Sequence, residues 1–388
     1  MKNTYTVPAS WLLVIILLLC VVSGVFGQVS SDGRAGNVIP TGVPFLLVSP
    51  DARSSGMGDA GVALEDDANA TFWNPSKMVY MKSNSSFSAS YCPWLRNLVN
   101  DASISYLNFQ AKTDERTAIG LSLRYFSLGK IDLADVDNTS QGAYNPYEFA
   151  FDASVARSFG ENFSLGFSLR YISSHIFNSD ANYKLQSGSA VGADISLFYR
   201  NTFSSFGKES HFSFGTNISN IGSKISYDNS SGSQMFLPAN LKLGIANTWV
   251  LDNENELTLA VDLNKLLVPT PPQTDSTGRI VKGKSTNVSV PASIFGSFAD
   301  APGGFSEELR EINCSAGLEY GFNRRFFLRT GYFYENPKKG NRQYATFGVG
   351  YKYNFIDFNF SYLAASQQKT PLASTLRFGI VFNLGQHK

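Results

Sequence analysis

The chain has 388 residues and nearly balanced charge, with 32 Lys and Arg against 31 Asp and Glu. A protein that holds nucleic acid on a basic surface carries a clear excess of positive charge, so this balance argues against a nucleic-acid partner. Three cysteines are too few for a disulfide framework in a chain of this length.

The N-terminal residues have the pattern of a secretory signal peptide. Lys2 supplies the positive charge, an apolar run extends from Trp11 to Val22, and small residues follow as far as Gly27. The run is too short for a transmembrane helix, so we predict that residues 1–27 are cleaved on export. No later stretch is apolar enough to form such a helix, and a membrane-embedded form would therefore be built from β-strands.

The stretch after the signal peptide predicts a compact plug. Three glycines between Gly56 and Gly61 disfavour a sustained helix, and Asn74 before Pro75 is typical of the start of a short one. A flexible linker is the alternative, but a solvated linker would not carry several large aromatic side chains. We predict that residues 28–80 form a plug inside a larger structure.

From Phe87 onward, apolar and polar residues alternate with a period of two. The third such segment, for example, places Ile119, Leu121 and Leu123 on one face and small or polar residues on the other. Segments of about ten residues with this alternation, separated by turns, are typical of a transmembrane β-barrel. We therefore predict an all-β fold, with a 14-stranded antiparallel transmembrane barrel over residues 86–384.

The strands are predicted at residues 86–92, 101–112, 116–126, 147–157, 162–176, 187–200, 209–219, 238–249, 255–264, 312–320, 324–334, 343–353, 355–363 and 373–384. A change of phase between Tyr106 and Leu107 indicates a β-bulge in the second strand.

The connections between these strands alternate between short and long. Outer-membrane barrels have short periplasmic turns and longer outer loops, whereas a soluble β-sandwich has no reason to sort its loops in this way. We therefore predict that both ends of the barrel lie at the periplasmic side of the outer membrane of a Gram-negative cell. The longest connection, residues 265–311, is called the long loop below.

Apolar residues on the outer loops are candidates for binding a partner protein. The long loop carries several, and exposed apolar side chains on a long loop suggest a protein contact. The alternative is that the long loop folds back over the barrel mouth as a lid. The candidate residues are Trp94, Met235, Phe236, Leu237, Ile294, Phe295, Phe298 and Phe305.

No catalytic or metal-binding motif is present in the sequence, and we predict a protein that is not an enzyme and needs no metal or cofactor. Two Ser/His pairs were weighed as sites of lipid A deacylation. The pair of His211 and Ser213 is predicted to face the lumen, whereas Ser173 and His175 are predicted to face lipid near the outer rim. No third residue that would orient His175 is evident, so a chance surface pair is favoured.

Two motifs in the plug, Gly-Met-Gly-Asp-Ala at residues 56–60 and the segment at residues 67–75 that ends in Phe-Trp-Asn-Pro, carry a family resemblance. They resemble the N-terminal hatch of the FadL-like outer-membrane barrels, which have Asn-Pro-Ala where this chain has Asn-Pro-Ser. The closer resemblance is to the PorV family of the type IX secretion system, although the motifs separate PorV less sharply from paralogues such as PorQ. The motif residues are Gly56, Met57, Gly58, Asp59 and Ala60, followed by Asp67, Ala68, Phe72, Trp73, Asn74 and Pro75.

The resemblance to PorV implies a secretion role without enzymatic chemistry. Such a protein would receive cargo from the translocon SprA, also called Sov, and bind the C-terminal signal domain of that cargo. It would carry the cargo to the attachment complex that contains the PorU sortase, and it would be surrounded by outer-membrane lipid and lipopolysaccharide. The FadL-like resemblance implies a second possibility, transport of hydrophobic small molecules. Predicted lumen faces rich in Gly, Ser, Asn and paired charges favour the protein-handling role.

Overall fold

The computed structural model describes residues 37–94, 101–134, 140–177, 186–228, 234–365 and 375–385. The predicted signal peptide lies outside these residues. No helix among them has the length and apolar composition that a membrane crossing requires.

In the described residues, fourteen antiparallel strands form a closed barrel, which confirms the predicted fold. Each strand pairs with the barrel strands before and after it along the chain, and pairing of the first with the last closes the wall. The barrel strands are β1 (Ser85–Pro93), β2 (Ser103–Lys112), β3 (Thr117–Ser127), β6 (Tyr147–Ser158), β7 (Phe163–His175), β8 (Gly188–Ser205), β9 (Lys208–Gly222), β10 (Asn240–Val250), β11 (Glu256–Leu266), β14 (Asn313–Phe322), β15 (Phe326–Tyr334), β16 (Gln343–Tyr353), β17 (Ile356–Ala365) and β18 (Thr375–Leu384).

Side chains alternate across the barrel wall because successive residues of a strand point to opposite faces. In β3, Leu121 and Leu123 are exposed on the outer face, whereas Ser122 and Arg124 are buried inside. Apolar residues outside and polar residues inside suit a wall that faces lipid. Closure leaves no unpaired strand edge within the wall.

The predicted β-bulge at Tyr106 is wrong. The register of β2 with β1 and β3 is continuous, and Ile104 and Tyr106 face inward together with the polar residues that follow. Large side chains are accommodated inside the barrel here because Tyr106 packs against the plug residues Phe72 and Trp73. A register shift occurs instead between β8 and β9, where Asn220 has a φ of 61°.

The turns divide the barrel into two rims. The turn between β8 and β9 is tighter than the predicted connection of residues 201–208, because the two strands leave only Phe206 and Gly207 between them. Both turn residues have positive φ, as a two-residue hairpin of type I′ requires. We call the side with such turns the short-turn rim, and the side that carries the long loop the long-loop rim.

The long-loop rim carries most of the remaining regular structure. One loop contains the hairpin of β4 (Ile131–Ala134) and β5 (Ser140–Tyr144). The long loop contains the hairpin of β12 (Gln273–Thr274) and β13 (Ile280–Lys282). Two short helices follow this second hairpin.

The plug consists of very short helices joined by turns. Asp51 caps one of them, since its carboxylate accepts a hydrogen bond from the Ser54 backbone N–H, and Asn74 caps another by accepting from Ser76, as the sequence predicts. The plug helices are the 3-10 helices Pro44–Leu47 and Pro75–Tyr80 and the α-helices α1 (Ala52–Ser55) and α2 (Ala70–Trp73). The long loop contributes α3 (Val290–Gly296) and α4 (Phe305–Arg310).

The described part of the plug runs through the barrel from one rim to the other. At the long-loop rim, the Asn37 side chain donates to the Pro271 carbonyl at 3.1 Å. At the short-turn rim, the Asn84 backbone N–H donates to Leu384 at 3.0 Å, and β1 begins. Most plug residues between these points are buried.

Candidate functional site

The first plug motif lies directly on the inner wall of the barrel. Gly58 has a φ of +70°, and a Cβ atom there would lie 2.6 Å from the Tyr332 backbone nitrogen. The wall has glycines at the same contact: a Cβ on Gly331 would lie 2.2 Å from the Gly58 nitrogen, and one on Gly317 would lie 2.3 Å from the Met57 carbonyl oxygen. Glycine is therefore required on both sides for the two backbones to touch.

The motif is also held by wall side chains that bond to its backbone. The Gly58 backbone N–H donates to the Thr346 hydroxyl at 2.8 Å. Asp262 of β11 accepts from the backbone N–H groups of Gly61 and Val62 at 2.7 and 2.9 Å. Asp59 accepts from the hydroxyl of Tyr344, and Ala60 is buried in a cluster with Met57 and Leu64.

The first two residues of the second motif, Asp67 and Ala68, are held by an ion pair and by hydrogen bonds to their backbone carbonyls. Asp67 is buried and forms an ion pair with Lys77 at 2.8 Å, within the plug itself. From the wall, Gln110 donates to the Asp67 carbonyl at 2.9 Å, and Asn108 donates to the carbonyl of Ala68. Because a buried charge without a partner is costly, the Lys77 ammonium is what allows Asp67 to lie here.

The end of the second motif forms the aromatic centre of the plug. The rings of Phe72 and Trp73 meet edge to face at 4.9 Å, and the Trp73 indole donates to Asp51 at 2.7 Å. Asn74 donates to the carbonyls of Val62 and, in β8, Leu197 at 3.1 and 3.0 Å. Pro75 is buried at the start of the 3-10 helix.

Arginine side chains join the plug to the wall. Arg53 of the plug bonds both carboxylate oxygens of Glu319 at 2.9 and 3.2 Å, and Arg329 binds the same carboxylate from β15. A second guanidinium, Arg124 of β3, donates to the Leu46 carbonyl of the plug at 2.9 Å. Paired charges of both signs therefore hold the plug in place.

A polar cavity of about 440 Å³ lies beside the plug, among residues of the short-turn rim. Its lining mixes both charge signs, with Glu65 and Asp66 opposite Lys82 and Lys352. A pore that selects ions of one charge would be lined by one sign, so the cavity has the character of a solvated vestibule.

The apolar candidates on the outer loops differ strongly in exposure. Phe295, Phe298 and Phe305 are exposed by 81, 49 and 76 %, and Leu309, one helical turn after Phe305, by 53 %. We call these four residues the apolar platform. Leu309 was missed by the sequence analysis, although its spacing of four from Phe305 on a short helix would place both on one face.

The other predicted outer-loop residues contribute less exposed surface. Leu237 is buried against plug residues including Val43, and Trp94 packs edge-on against Phe126. Ile294 and Phe236 are partly buried, while Met235 is exposed by 37 %.

Buried ion pairs hold the long loop against the barrel. Lys265 at the end of β11 binds Glu308 and Glu311 at 2.9 and 2.6 Å. Lys339, from the neighbouring loop, binds Glu307 and Glu311 at 2.7 and 2.8 Å. The inward side of α4 is therefore fixed by ion pairs, while its other side presents Phe305 and Leu309 to solvent. We call these five charged residues the tether.

The tether also shifts the protonation of its carboxyl groups. Burial opposes ionisation of Glu308, but hydrogen bonds from the Ala301 backbone and from Lys265 outweigh burial and lower the pKa of Glu308. For Glu307, burial raises the pKa and the hydrogen bond from Lys339 lowers it. The net result is a lowered pKa of Glu307. Burial, with the nearby Glu308, raises the pKa of Asp300 despite a hydrogen bond from Thr270.

The two Ser/His pairs have different structures. His211 contacts Thr202 and Glu209, and Ser213 donates to the Ala63 carbonyl of the plug, so these two residues are not paired with each other. Ser173 and His175 are paired at 2.9 Å.

The group that orients His175 is a hydroxyl. Its second ring nitrogen bonds the Ser187 hydroxyl at 2.6 Å, and the Tyr147 ring stacks on the imidazole. A serine does not supply the negative charge by which a triad carboxylate stabilises an imidazolium. Ser173 is itself buried, so the chain of hydrogen bonds fits a structural role at the rim. No cluster suited to a metal ion occurs in the described residues.

Comparison with solved structures returns outer-membrane channels at low similarity. The TodX deltaS2S3 mutant monoaromatic hydrocarbon channel has a TM-score of 0.49 and 12 % identity, with 86 % of this chain and 99 % of that chain covered. The P. putida toluene transporter TodX has a TM-score of 0.49 and 12 % identity, with 87 % of this chain and 99 % of that chain covered. A Pseudomonas aeruginosa FadL homologue has a TM-score of 0.41 and 11 % identity, covering 90 and 100 %.

The comparison by family is more specific. No curated protein matches the chain. A family model described as type IX secretion system protein PorV matches residues 31–273, which is more than half of the chain and includes both plug motifs. The chain therefore belongs to the PorV family of type IX secretion system proteins.

Proposed function

We propose that this protein binds the C-terminal signal domain of cargo proteins as they leave the SprA (Sov) translocon. It then carries them to the attachment complex that contains the PorU sortase. A barrel of this family fits an outer-membrane location, surrounded by lipid and lipopolysaccharide. The observation that carries the proposal is the apolar platform, exposed on a loop that buried ion pairs hold in place.

The platform supports protein binding on energetic grounds. Burying an exposed phenylalanine contributes about 1.5–3 kcal/mol, so three such side chains supply a useful binding energy before ordering costs are subtracted. The tether lowers those ordering costs because α4 is already held in one position. A preorganised apolar surface of this kind favours a partner protein over solvent.

The plug supports a carrier without an open pore. Its motifs lie inside the barrel and are bonded to strands on several sides of it. The alternative, transport of hydrophobic small molecules, needs an apolar passage through the lumen. The inward faces around the plug instead carry bonded charges and amides, which favours the protein-handling role.

The test removes the platform from the folded barrel. Deletion of residues 291–305, or the milder triple substitution Phe295→Ser, Phe298→Ser and Phe305→Ser, should leave the barrel inserted and heat-resistant. Both variants should fail to bind a purified cargo signal domain and should cause periplasmic accumulation of secreted proteins.

A matched control substitutes three exposed phenylalanines at the short-turn rim, Phe159→Ser, Phe322→Ser and Phe355→Ser. This control should bind cargo as the native protein does. If the platform variants also bind the signal domain normally and secretion continues, the proposal is wrong, and the long loop serves only as a lid.

A further inference from the structure

The long loop directs its carboxylates inward. Glu308, Glu311 and Asp300 are buried, and Glu307 is bonded to Lys339. The exposed carboxylate of the long loop is Asp275, whose side chain accepts from Thr277 and from the Arg279 backbone within a turn. The acidic residues of the long loop are therefore largely used in holding its structure.

The cations of the same region point to solvent instead. Five of them form no ion pair with a carboxylate in the described part of the chain, in contrast to the tether lysines and to Arg342, which pairs with Glu335 at 2.8 Å. Four lie in the long loop and one in the neighbouring loop, and all are exposed: Arg279, Lys282, Lys284, Arg310 and Lys338. The outward surface of this region is therefore both positively charged and apolar.

The basic hairpin and the platform belong to one packed unit. Gly283 follows β13 with a φ of +88°, and a Cβ there would lie 3.0 Å from Pro302 and 3.3 Å from the Asp300 carbonyl oxygen. The hairpin thus packs against the segment that leads into α4. Lys282 and Lys284 flank this contact, and both are exposed on the same packed unit as α4.

We propose that this surface recognises a partner protein through an acidic face with an apolar centre. Protein interfaces commonly combine an apolar core with a polar rim, and a region that exposes both the platform and five cations has the composition of such an interface. The inference rests on the proposed function, and it adds the chemistry of the partner: Asp and Glu side chains around exposed apolar residues. Such charge complementarity acts mainly on the rate of association.

A protein is favoured over a lipid headgroup as the partner of this surface because the surface includes the apolar platform. Phosphate groups of a lipid would satisfy the cations, but they give no reason for three phenylalanines to stand exposed on a loop that is held by buried ion pairs. An apolar centre on a protein would bury these side chains as the charges pair. The lipid remains the competing outcome of the test.

The test reverses the charge of the hairpin with Arg279→Glu, Lys282→Glu and Lys284→Glu. Binding of a purified cargo signal domain to the intact barrel in nanodiscs is followed at low and high salt. The association rate at low salt should fall by about tenfold or more, and its dependence on salt should weaken. Dissociation should change little, because the platform is intact.

A matched control reverses three exposed cations at the short-turn rim, Arg116→Glu, Arg324→Glu and Arg325→Glu. Each variant should unfold at the same temperature as the native protein. This comparison shows that a loss of binding is not caused by a loss of the fold. The control should bind the signal domain at the native rate.

The remaining outcomes separate this inference from the proposed function. The charge-reversed hairpin variant could associate with the signal domain at the native rate while the Phe→Ser platform variant loses binding. That result would contradict the inference of an acidic partner and leave the proposed function standing. If charge reversal weakens binding of purified lipopolysaccharide but not of the signal domain, the basic surface serves lipid and the inference is wrong. If the native protein binds no signal domain, both fail.

Discussion

At the scale of single residues, the plug depends on glycines that permit backbone contact. Gly58 combines a left-handed conformation with contact to β15, so Gly58→Ala would add about 1–2 kcal/mol of backbone strain and would also force the plug away from the wall. We expect a lower thermal midpoint and faster proteolytic cleavage within the plug. Gly296→Ala is the matched control, since a Cβ there meets nothing within 4 Å. Equal stability of the two variants would contradict the close-contact interpretation.

The sequence predicted part of this arrangement. The glycines of the motif were recognised as helix breakers, because that property is local. Their contact with Gly317 and Gly331 was not predictable, since these partners lie more than 250 residues further along the chain. Leu309 was missed for a similar reason: its exposure depends on which side of α4 the tether holds.

At the scale of elements, strands were more predictable than loops. Lipid outside and a polar lumen inside impose a period of two on every strand, and this pattern can be read without knowing any contact. The pattern was misread in β2, where Tyr106 is large but faces inward and bonds Thr71 of the plug at 2.8 Å. The fold of the long loop depends on lysines from β11 and from another loop, which no local pattern reveals.

The tether should respond to acid. The lowered pKa of Glu307 and of Glu308 means that their ionised forms stabilise the tethered loop above the ordinary carboxyl value of 4.5, and this stabilisation is lost as the pH falls through the lowered values. The raised pKa of Asp300 acts in the opposite direction, favouring the loop at low pH. Because Glu307 and Glu308 bond the lysines of the tether directly, the protection of long-loop amides against hydrogen exchange, corrected for the intrinsic effect of pH on exchange, should fall below a pH of about 4.5.

A substitution can imitate this loosening at neutral pH. Lys339 is buried between Glu307 and Glu311, so Lys339→Met should leave both carboxylates without this partner and raise hydrogen exchange in α4. The adjacent Lys338 is exposed, and Lys338→Met should leave exchange unchanged. Protection of α4 that is the same in both variants would show that the tether does not hold the long loop.

At the scale of the whole molecule, the two rims and the lumen have separate tasks. The lumen is occupied by a plug that enters at the long-loop rim, beside Pro271, and ends at the short-turn rim, beside Leu384. The plug therefore contributes to both ends of the barrel. The binding surface that we propose lies on one rim only, which agrees with a carrier that is embedded in the membrane and binds its cargo from one side.

This organisation predicts that the native barrel is electrically closed. In planar bilayers we expect no steady conductance, because the plug is fixed by Arg53 on Glu319 and by Asp262 on the backbone of Gly61 and Val62. Asp262→Ala would leave two buried N–H groups without an acceptor, at about 1–3 kcal/mol each, and Arg53→Ala would remove the main ion pair. The double variant should therefore show intermittent openings.

Those openings should discriminate little between cations and anions, since the vestibule carries both signs. The control pair Asp252→Ala and Arg116→Ala changes the same residue types at exposed turns, and it should remain closed. Steady conductance of the native protein, equal to that of the double variant, would mean that the plug does not seal the lumen. The barrel would then have to be regarded as a pore, and the transport of small molecules would become the favoured function.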